Sequence, residues 1–104
     1  MEFLKNISAN LPPVEEAEVK LDLHGMEKID ALNKLDSIVK YCKKTSAKTL
    51  YVYFDPAKPG AGETLFQPVA RFFKFEKFNG YVETAVPIMT EKSGGLYVTF
   101  KYTA

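Results

Sequence analysis

The sequence predicts an α/β protein, specifically a two-layer α+β sandwich whose strands and helices follow the order βαβαββ. Four short segments alternate apolar and polar residues, which is typical of half-buried strands. Two longer segments repeat apolar residues at steps of three and four, which is typical of amphipathic helices. Because the helices follow alternate strands and a hairpin closes the chain, we expect both helices to cover one face of a four-stranded mixed sheet.

The composition indicates one ordinary globular domain. The chain has 104 residues, of which 46% are hydrophobic and 26% are charged, enough for a modest core without disulfides or metals. Fourteen basic and thirteen acidic residues leave a net charge of +1. The net charge therefore gives no general support for nucleic-acid binding, which would need a local basic patch.

Cysteine content and hydropathy exclude several classes of protein. Cys42 is the one cysteine, which excludes an internal disulfide and a cysteine-based structural zinc site. It falls on the apolar stripe of the first helix, which indicates a buried thiol. No secretory signal stands at the N-terminus, and no apolar run is long enough to cross a bilayer. We therefore expect a cytoplasmic protein with no membrane partner.

The elements can be placed in order along the chain. An N-terminal arm of residues 1–17 contains a proline pair that ends any helical turn, and a domain of residues 18–104 follows it. A loop begins at Asp55, and Gly94-Gly95 is interpreted as the turn of the closing hairpin. The strands are predicted at about 18–23, 49–54, 81–89 and 96–102, and the helices at about 26–44 and 67–78.

Alternation within the strands assigns their residues to two faces of the sheet. The face predicted to lie under the helices carries Leu21, Leu23, Leu50, Val52, Phe54, Val82, Val86, Ile88, Val98 and Phe100. The open face is predicted to carry Lys20, Asp22, His24, Tyr51, Tyr53, Asp55, Tyr81, Glu83, Tyr97, Thr99 and Lys101. The open face is therefore polar, yet it includes four tyrosines.

The end of the first strand combines an acid, an imidazole and a turn glycine. Asp22 and His24 share one face, and Gly25 frees the backbone to turn into the first helix. An imidazole titrates near neutrality and can do acid–base work on a phosphodiester, while the carboxylate could orient it or hold Mg²⁺. The alternative is structural, with Asp22 capping the following turn and His24 paired to it. Since His24 is the only histidine, no zinc site with three or four nitrogen and sulfur ligands can be assembled.

Two further features have both a functional and a plain interpretation. The Lys58–Gly62 loop precedes a helix and could present backbone N–H groups to a phosphate, or it could be a simple connection. The open-face tyrosines could stack unpaired bases beside Lys20 and Lys101, or form an interface between two copies. They could also be ordinary strand residues.

Two segments resemble motifs of the Smr (small MutS-related) domain family: Leu21-Asp22-Leu23-His24-Gly25 at the first strand end and Gly94-Gly95-Leu96-Tyr97-Val98-Thr99-Phe100-Lys101 in the closing strand. The resemblance in element order runs from about residue 18 to the C-terminus. It implies a fold like the C-terminal domain of translation initiation factor 3. It also implies nucleic-acid binding and, as in many members, a nicking or RNA-cleaving endonuclease activity.

The resemblance also implies roles for single positions. Asp22 and His24 match the acid and the histidine of the first family motif. Gly60 and Gly62 match the glycines of a second motif, which in the family faces the first motif across the site. The second-motif histidine is missing here, because Tyr53-Phe54-Asp55-Pro56 stands where it is expected.

Two functions remain open at this point. The first is a domain that binds DNA or RNA and cleaves it with Asp22 and His24, with Mg²⁺ as a candidate cofactor. The second is a binding or assembly module, with a protein or nucleic-acid partner, that lost catalysis together with the second-motif histidine. The expected nucleic-acid contacts are Lys20, Gly25, Tyr53, Lys58, Gly60 and Gly62.

Overall fold

A computed structural model describes residues 14–56, 65–90 and 93–101 of the chain. Most of the predicted N-terminal arm lies outside these residues, and its described part includes a short 3-10 turn at Val14–Glu16. The boundary between an arm and a domain therefore stays a prediction. Lys58, Gly60 and Gly62 also lie outside the described residues.

The described strands form one mixed sheet, as predicted. They are β1 (Val19–Asp22), β2 (Thr49–Phe54), β3 (Val82–Met89) and β4 (Gly94–Phe100), in the spatial order β1-β2-β4-β3. β1 runs parallel to β2, and β4 is antiparallel to both of its neighbours. The parallel pair needs a crossover, which the first helix supplies.

Both helices lie on the same face of the sheet, which confirms the two-layer prediction. They are α1 (Lys28–Thr45) and α2 (Phe66–Phe78), and the two helices contact each other. Lys43 of α1 forms an ion pair with Glu76 of α2, with 3.4 Å between Nζ and Oε2. The inward stripes include Leu35 and Val39 of α1 and Phe73 of α2, all buried.

The core forms where the helices meet the two central strands and the end of β1. Predicted helix-facing residues of the sheet are buried here, including Leu23, Leu50, Val52, Phe54 and Val98. Cys42 is also buried in this cluster, as its place on the helix predicted. The period-2 pattern therefore assigned β2 and the end of β1 to the correct face.

The assignment of Val86 and Ile88 to the helix face is wrong. A bulge at Glu83 adds one residue to β3 relative to β4, so the alternation inverts after it. Val86 then pairs with Tyr97 and Ile88 pairs with Gly95, on the open face of the sheet. The simple alternation of the sequence did not reveal this extra residue.

The interpretation of Gly94-Gly95 as a turn is also wrong, because both glycines lie inside β4. The bend comes earlier, where the Thr90 N–H donates to the Ser93 carbonyl over 2.8 Å. A Cβ on Gly94 would meet the Phe54 ring at 2.9 Å, and one on Gly95 would meet the Tyr51 ring at 2.9 Å. The glycines are therefore needed for close approach of two rings from β2 on opposite faces of the sheet.

No helix among the described residues is both long enough and apolar enough to span a membrane. The cytoplasmic location expected from the sequence stays a prediction.

Candidate functional site

The candidate site lies where the carboxyl ends of β1 and β2 meet. These two strands are parallel, so their last residues lie at the same edge of the sheet. Asp22 pairs with Tyr53, and the following Leu23 N–H donates to the Tyr53 carbonyl over 2.8 Å. This pairing brings the His24 ring to Tyr53, with 5.7 Å between ring centroids in an edge-to-face arrangement.

Asp22 and His24 form a directly bonded pair. His24 Nδ1 lies 2.6 Å from Asp22 Oδ1, and the His24 backbone N–H donates to the same oxygen over 2.9 Å. The two contacts fix both the main chain and the ring of His24 relative to the carboxylate. The His24 side chain remains 33% exposed, so a ligand can reach the imidazole. Since Nδ1 is engaged, Nε2 is the nitrogen available to that ligand.

The charge state of the pair follows from these contacts. The backbone N–H of His24, followed by its side-chain hydrogen bond and charge, lowers the pKa of Asp22 below the ordinary value of 3.8. Asp22 is therefore ionised at neutral pH and accepts a hydrogen bond from Nδ1–H. In the neutral imidazole, Nε2 then carries the lone pair that can accept a proton.

Asp55 is a site residue that sequence reasoning placed on the open face but gave no role. Its Oδ2 accepts a hydrogen bond from the Gly25 backbone N–H over 2.8 Å. The carboxylate after β2 therefore ties down the turn after β1. The sequence did show an acid, Asp55, just past β2 and a glycine, Gly25, just past β1. Their contact could not be predicted from this, because it depends on the parallel pairing of β1 and β2.

Gly25 allows the chain to leave the strand and enter α1. Its φ of +74° lies in the left-handed region, and a Cβ there would have nothing within 4 Å. The backbone conformation, not lack of space, therefore calls for glycine. The Met26 N–H closes the turn onto the Leu23 carbonyl at 3.2 Å.

Tyr51 and Tyr53 form an aromatic surface next to the pair. Their rings stack, with centroids 5.3 Å apart and planes 20° apart. Lys20 of β1 is the register partner of Tyr51 and shares its face. The structure therefore brings together Asp22, His24, Gly25, Tyr53 and Lys20 from the predicted site residues.

The donor set does not form a preassembled metal centre. No group of three histidine, cysteine, aspartate or glutamate side chains in the described ranges is placed to hold a metal ion. Asp22 Oδ1 already accepts two contacts from His24, and Asp55 Oδ2 accepts the Gly25 N–H. The described residues therefore form no preassembled Mg²⁺ site, and no step proposed below passes through one.

A groove of about 730 Å³ starts at Gly25 and follows the first turns of α1 instead of the sheet. Its charged lining residues are two acids, Glu27 and Asp30, and one cation, Lys34. This lining is unfavourable for a polyanion.

Comparison with known proteins identifies the fold of this chain. No protein-family model and no curated protein sequence matches the chain. The structure is similar to the crystal structure of the Smr domain of Thermus thermophilus MutS2, with a TM-score of 0.62 and 18% sequence identity. The likeness covers 80% of this chain and 98% of that domain. The chain has the Smr fold. The predicted Smr resemblance is thus confirmed for the fold, which is what a likeness at this identity shows.

Within the Smr fold, the two segments that carried the resemblance have different tasks. The first ends β1 and builds the Asp22–His24 pair. The second forms β4, whose glycines make room for rings of β2. The first segment therefore supplies the carboxylate and the imidazole, and the second shapes the sheet surface beside them.

Proposed function

We propose that this Smr-like protein binds DNA or RNA at the β1–β2 edge and cleaves a phosphodiester there, with His24 as the acid–base group. The observation that supports it most is the contact of 2.6 Å between His24 Nδ1 and Asp22 Oδ1. An ionised carboxylate that orients an imidazole is a general arrangement for proton transfer. The Smr fold supports a nucleic-acid substrate.

The chemistry assigned to each residue follows from its contacts. Asp22 holds the His24 ring in place by accepting the hydrogen bond from Nδ1–H, which leaves Nε2 free to accept a proton. Nε2 accepts the proton of the attacking hydroxyl or water as its oxygen bonds to phosphorus. The P–O bond to the leaving oxygen breaks, and that oxygen takes a proton from the protonated Nε2 or from water. Lys20, on the same face, is suited to contact the backbone phosphates. The remaining proposed contacts are Gly25, Tyr53, Lys58, Gly60 and Gly62.

A second candidate is a module that binds nucleic acid without cleaving it. The sequence has a single histidine, so no second imidazole can protonate the leaving group. Tyr53 and Asp55 occupy the segment where the second-motif histidine is expected, and the Asp55 carboxylate is bonded to Gly25. This observation favours binding without efficient turnover.

One assay separates the two candidates. Labelled RNA, single-stranded DNA and supercoiled plasmid are incubated with the protein, in Mg²⁺ or in EDTA, and both bound and cleaved species are measured. The variants are Asp22→Asn and His24→Ala. Asp36→Asn is the matched control, because Asp36 forms an exposed ion pair with Lys40 on α1, away from this site.

Each outcome assigns a function. Cleavage that is lost in Asp22→Asn and His24→Ala but kept in Asp36→Asn establishes the nuclease. Binding without cleavage establishes the binding module. Cleavage that persists in both site variants would place the reaction elsewhere or in a contaminant, and absence of binding to every substrate would overturn both candidates.

A further inference from the structure

We propose that the site takes single-stranded nucleic acid, with an unpaired base stacked on Tyr53 next to His24. This inference rests on the proposed function and specifies its substrate class. The geometry that points to it is the combination of a stacked tyrosine pair, a glycine that makes room for the pair, and the bonded Asp22–His24 group at one sheet edge.

The face of Tyr53 that Tyr51 does not cover lies on the side of the His24 imidazole. Tyr51 and Tyr53 stack with centroids 5.3 Å apart, so each ring has one face covered by the other. Since Tyr51 comes two residues earlier on β2, the second face of Tyr53 is turned toward the end of that strand. The His24 ring lies at this end in an edge-to-face contact with Tyr53, with 5.7 Å between ring centroids, so a stacked base would share this face with the imidazole.

The stacked rings of Tyr51 and Tyr53 are held in place by the neighbouring strand β4. A Cβ on Gly95 would lie 2.9 Å from a Tyr51 ring carbon and 3.1 Å from its hydroxyl oxygen. Because Gly95 has no side chain, the Tyr51 ring can lie directly over β4. Tyr97, the register partner of Tyr51, is only 7% exposed and packs the same face. A base that stacks on this surface would meet rings that need little reorganisation.

Such a contact requires an unpaired base. In a duplex both faces of each base are covered by its neighbours, so a base can reach a protein ring only after it leaves the stack. A strand whose base lies on Tyr53 would have its backbone close to His24 and to Lys20 on β1. Lys101 follows β4 at the other end of the strands and adds a second cation.

The near-neutral charge also favours a base contact over a purely ionic one. The net charge is +1, whereas proteins that bind through phosphates alone depend on many cations. Stacking on an aromatic side chain adds affinity that does not depend on neutralising phosphates. A second copy of the chain is the competing occupant of this face, because the bulge in β3 also leaves Val86 there, 38% exposed.

The test measures binding by fluorescence anisotropy with three probes of equal length. They are a single strand, the same strand in a duplex, and a single strand of the same charge whose sugars carry no bases; RNA and DNA forms are both used. We expect the intact single strand to bind about fivefold or more tightly than the abasic one. We also expect it to bind more tightly than the duplex.

Variants at Tyr53 then locate the contact. Tyr53→Leu keeps an apolar side chain at this half-buried position and should remove the preference for bases, whereas Tyr53→Phe should keep it. Tyr41→Ala is the matched control, since Tyr41 is 53% exposed on α1 and should leave all affinities unchanged. Thermal unfolding of each variant establishes that it is folded.

Different results would overturn the base contact and the proposed nucleic-acid function. Equal affinity for the abasic strand, or unchanged preference in Tyr53→Leu, would overturn the base contact while leaving nucleic-acid binding intact. Absence of binding to all probes would overturn the proposed function, and the inference with it. Sedimentation that shows a wild-type dimer lost in Tyr53→Leu, without any preference for bases, would assign the face to a second copy.

Discussion

One carboxylate oxygen organises the candidate site at the scale of single residues. Asp22 Oδ1 receives both the backbone N–H and the ring nitrogen of His24. Residues two positions apart can make both contacts because the chain turns at His24 and Gly25, where the Met26 N–H donates to the Leu23 carbonyl. The pair is therefore built locally, whereas its link to β2 comes from Asp55 and is built by the fold.

We predict that the pKa of Asp22 rises toward its ordinary value in His24→Ala but remains below it. The substitution removes the ring's hydrogen bond and charge, while the backbone N–H of residue 24 stays. Carbon-detected NMR titration of the Asp22 carboxyl group measures both values, with Asp36 as a control carboxylate. Identical Asp22 titrations in wild type and variant would contradict the bonded pair.

The sign of the pH dependence of stability follows from the same shift. The pKa of Asp22 is lowered on folding, so its contribution to stability is fully present above the unfolded-state pKa. It is lost as the pH falls through the lowered folded-state pKa. Acid unfolding of His24→Ala should therefore show a weaker dependence on pH in this acidic range than that of wild type.

At the scale of elements, β4 determines the shape of both sheet faces. Gly94 and Gly95 accommodate rings of Phe54 and Tyr51 on opposite sides. The sequence predicted the helices and β2 well, because apolar residues recur at steps of three or four in the helices and alternate in β2. It failed on this hairpin, because a glycine pair also indicates a turn and because the bulge at Glu83 leaves no mark in the alternation.

We predict that Gly95→Ala lowers the free energy of unfolding by about 1–3 kcal/mol, as overpacking typically does. The added methyl group would lie 2.8 Å from the Val52 carbonyl oxygen, a backbone atom of the adjacent strand, as well as 2.9 Å from the Tyr51 ring. Chemical denaturation measures the change. Thr99→Ala, on the same strand and face, is the control and should cost less; an equal or smaller loss in Gly95→Ala would contradict the close approach.

At the scale of the whole molecule, the fold brings together residues that are far apart in the sequence. Asp22 and His24 could be singled out from one strand end, but the contact of Asp55 with Gly25 spans 30 positions. It requires β1 and β2 to be parallel neighbours with their ends aligned. Sequence patterns predicted the order and type of the elements. They did not reveal the order of strands in the sheet, which decides such contacts.

We predict that Cys42 reacts slowly with thiol reagents in the native protein at mildly alkaline pH. The side chain is fully buried, and burial, with a smaller effect of the Glu18 charge, raises the pKa of its thiol to about 11. Little thiolate is present and it is not accessible. Labelling should become fast in denaturant, and its native rate should report opening of the core. Equal rates in both conditions would contradict the two-layer packing around α1.

The most direct test of the central claim is NMR mapping of backbone amides during addition of a single-stranded oligonucleotide. We expect the largest shift changes at Asp22 to Gly25 and at Tyr53 and Asp55, where β1 and β2 end side by side. The perturbation should saturate with the same affinity as the anisotropy titration and should weaken in His24→Ala. Shift changes confined to the outer surfaces of α1 and α2, with none at the β1–β2 edge, would contradict the assignment of this edge as the nucleic-acid site.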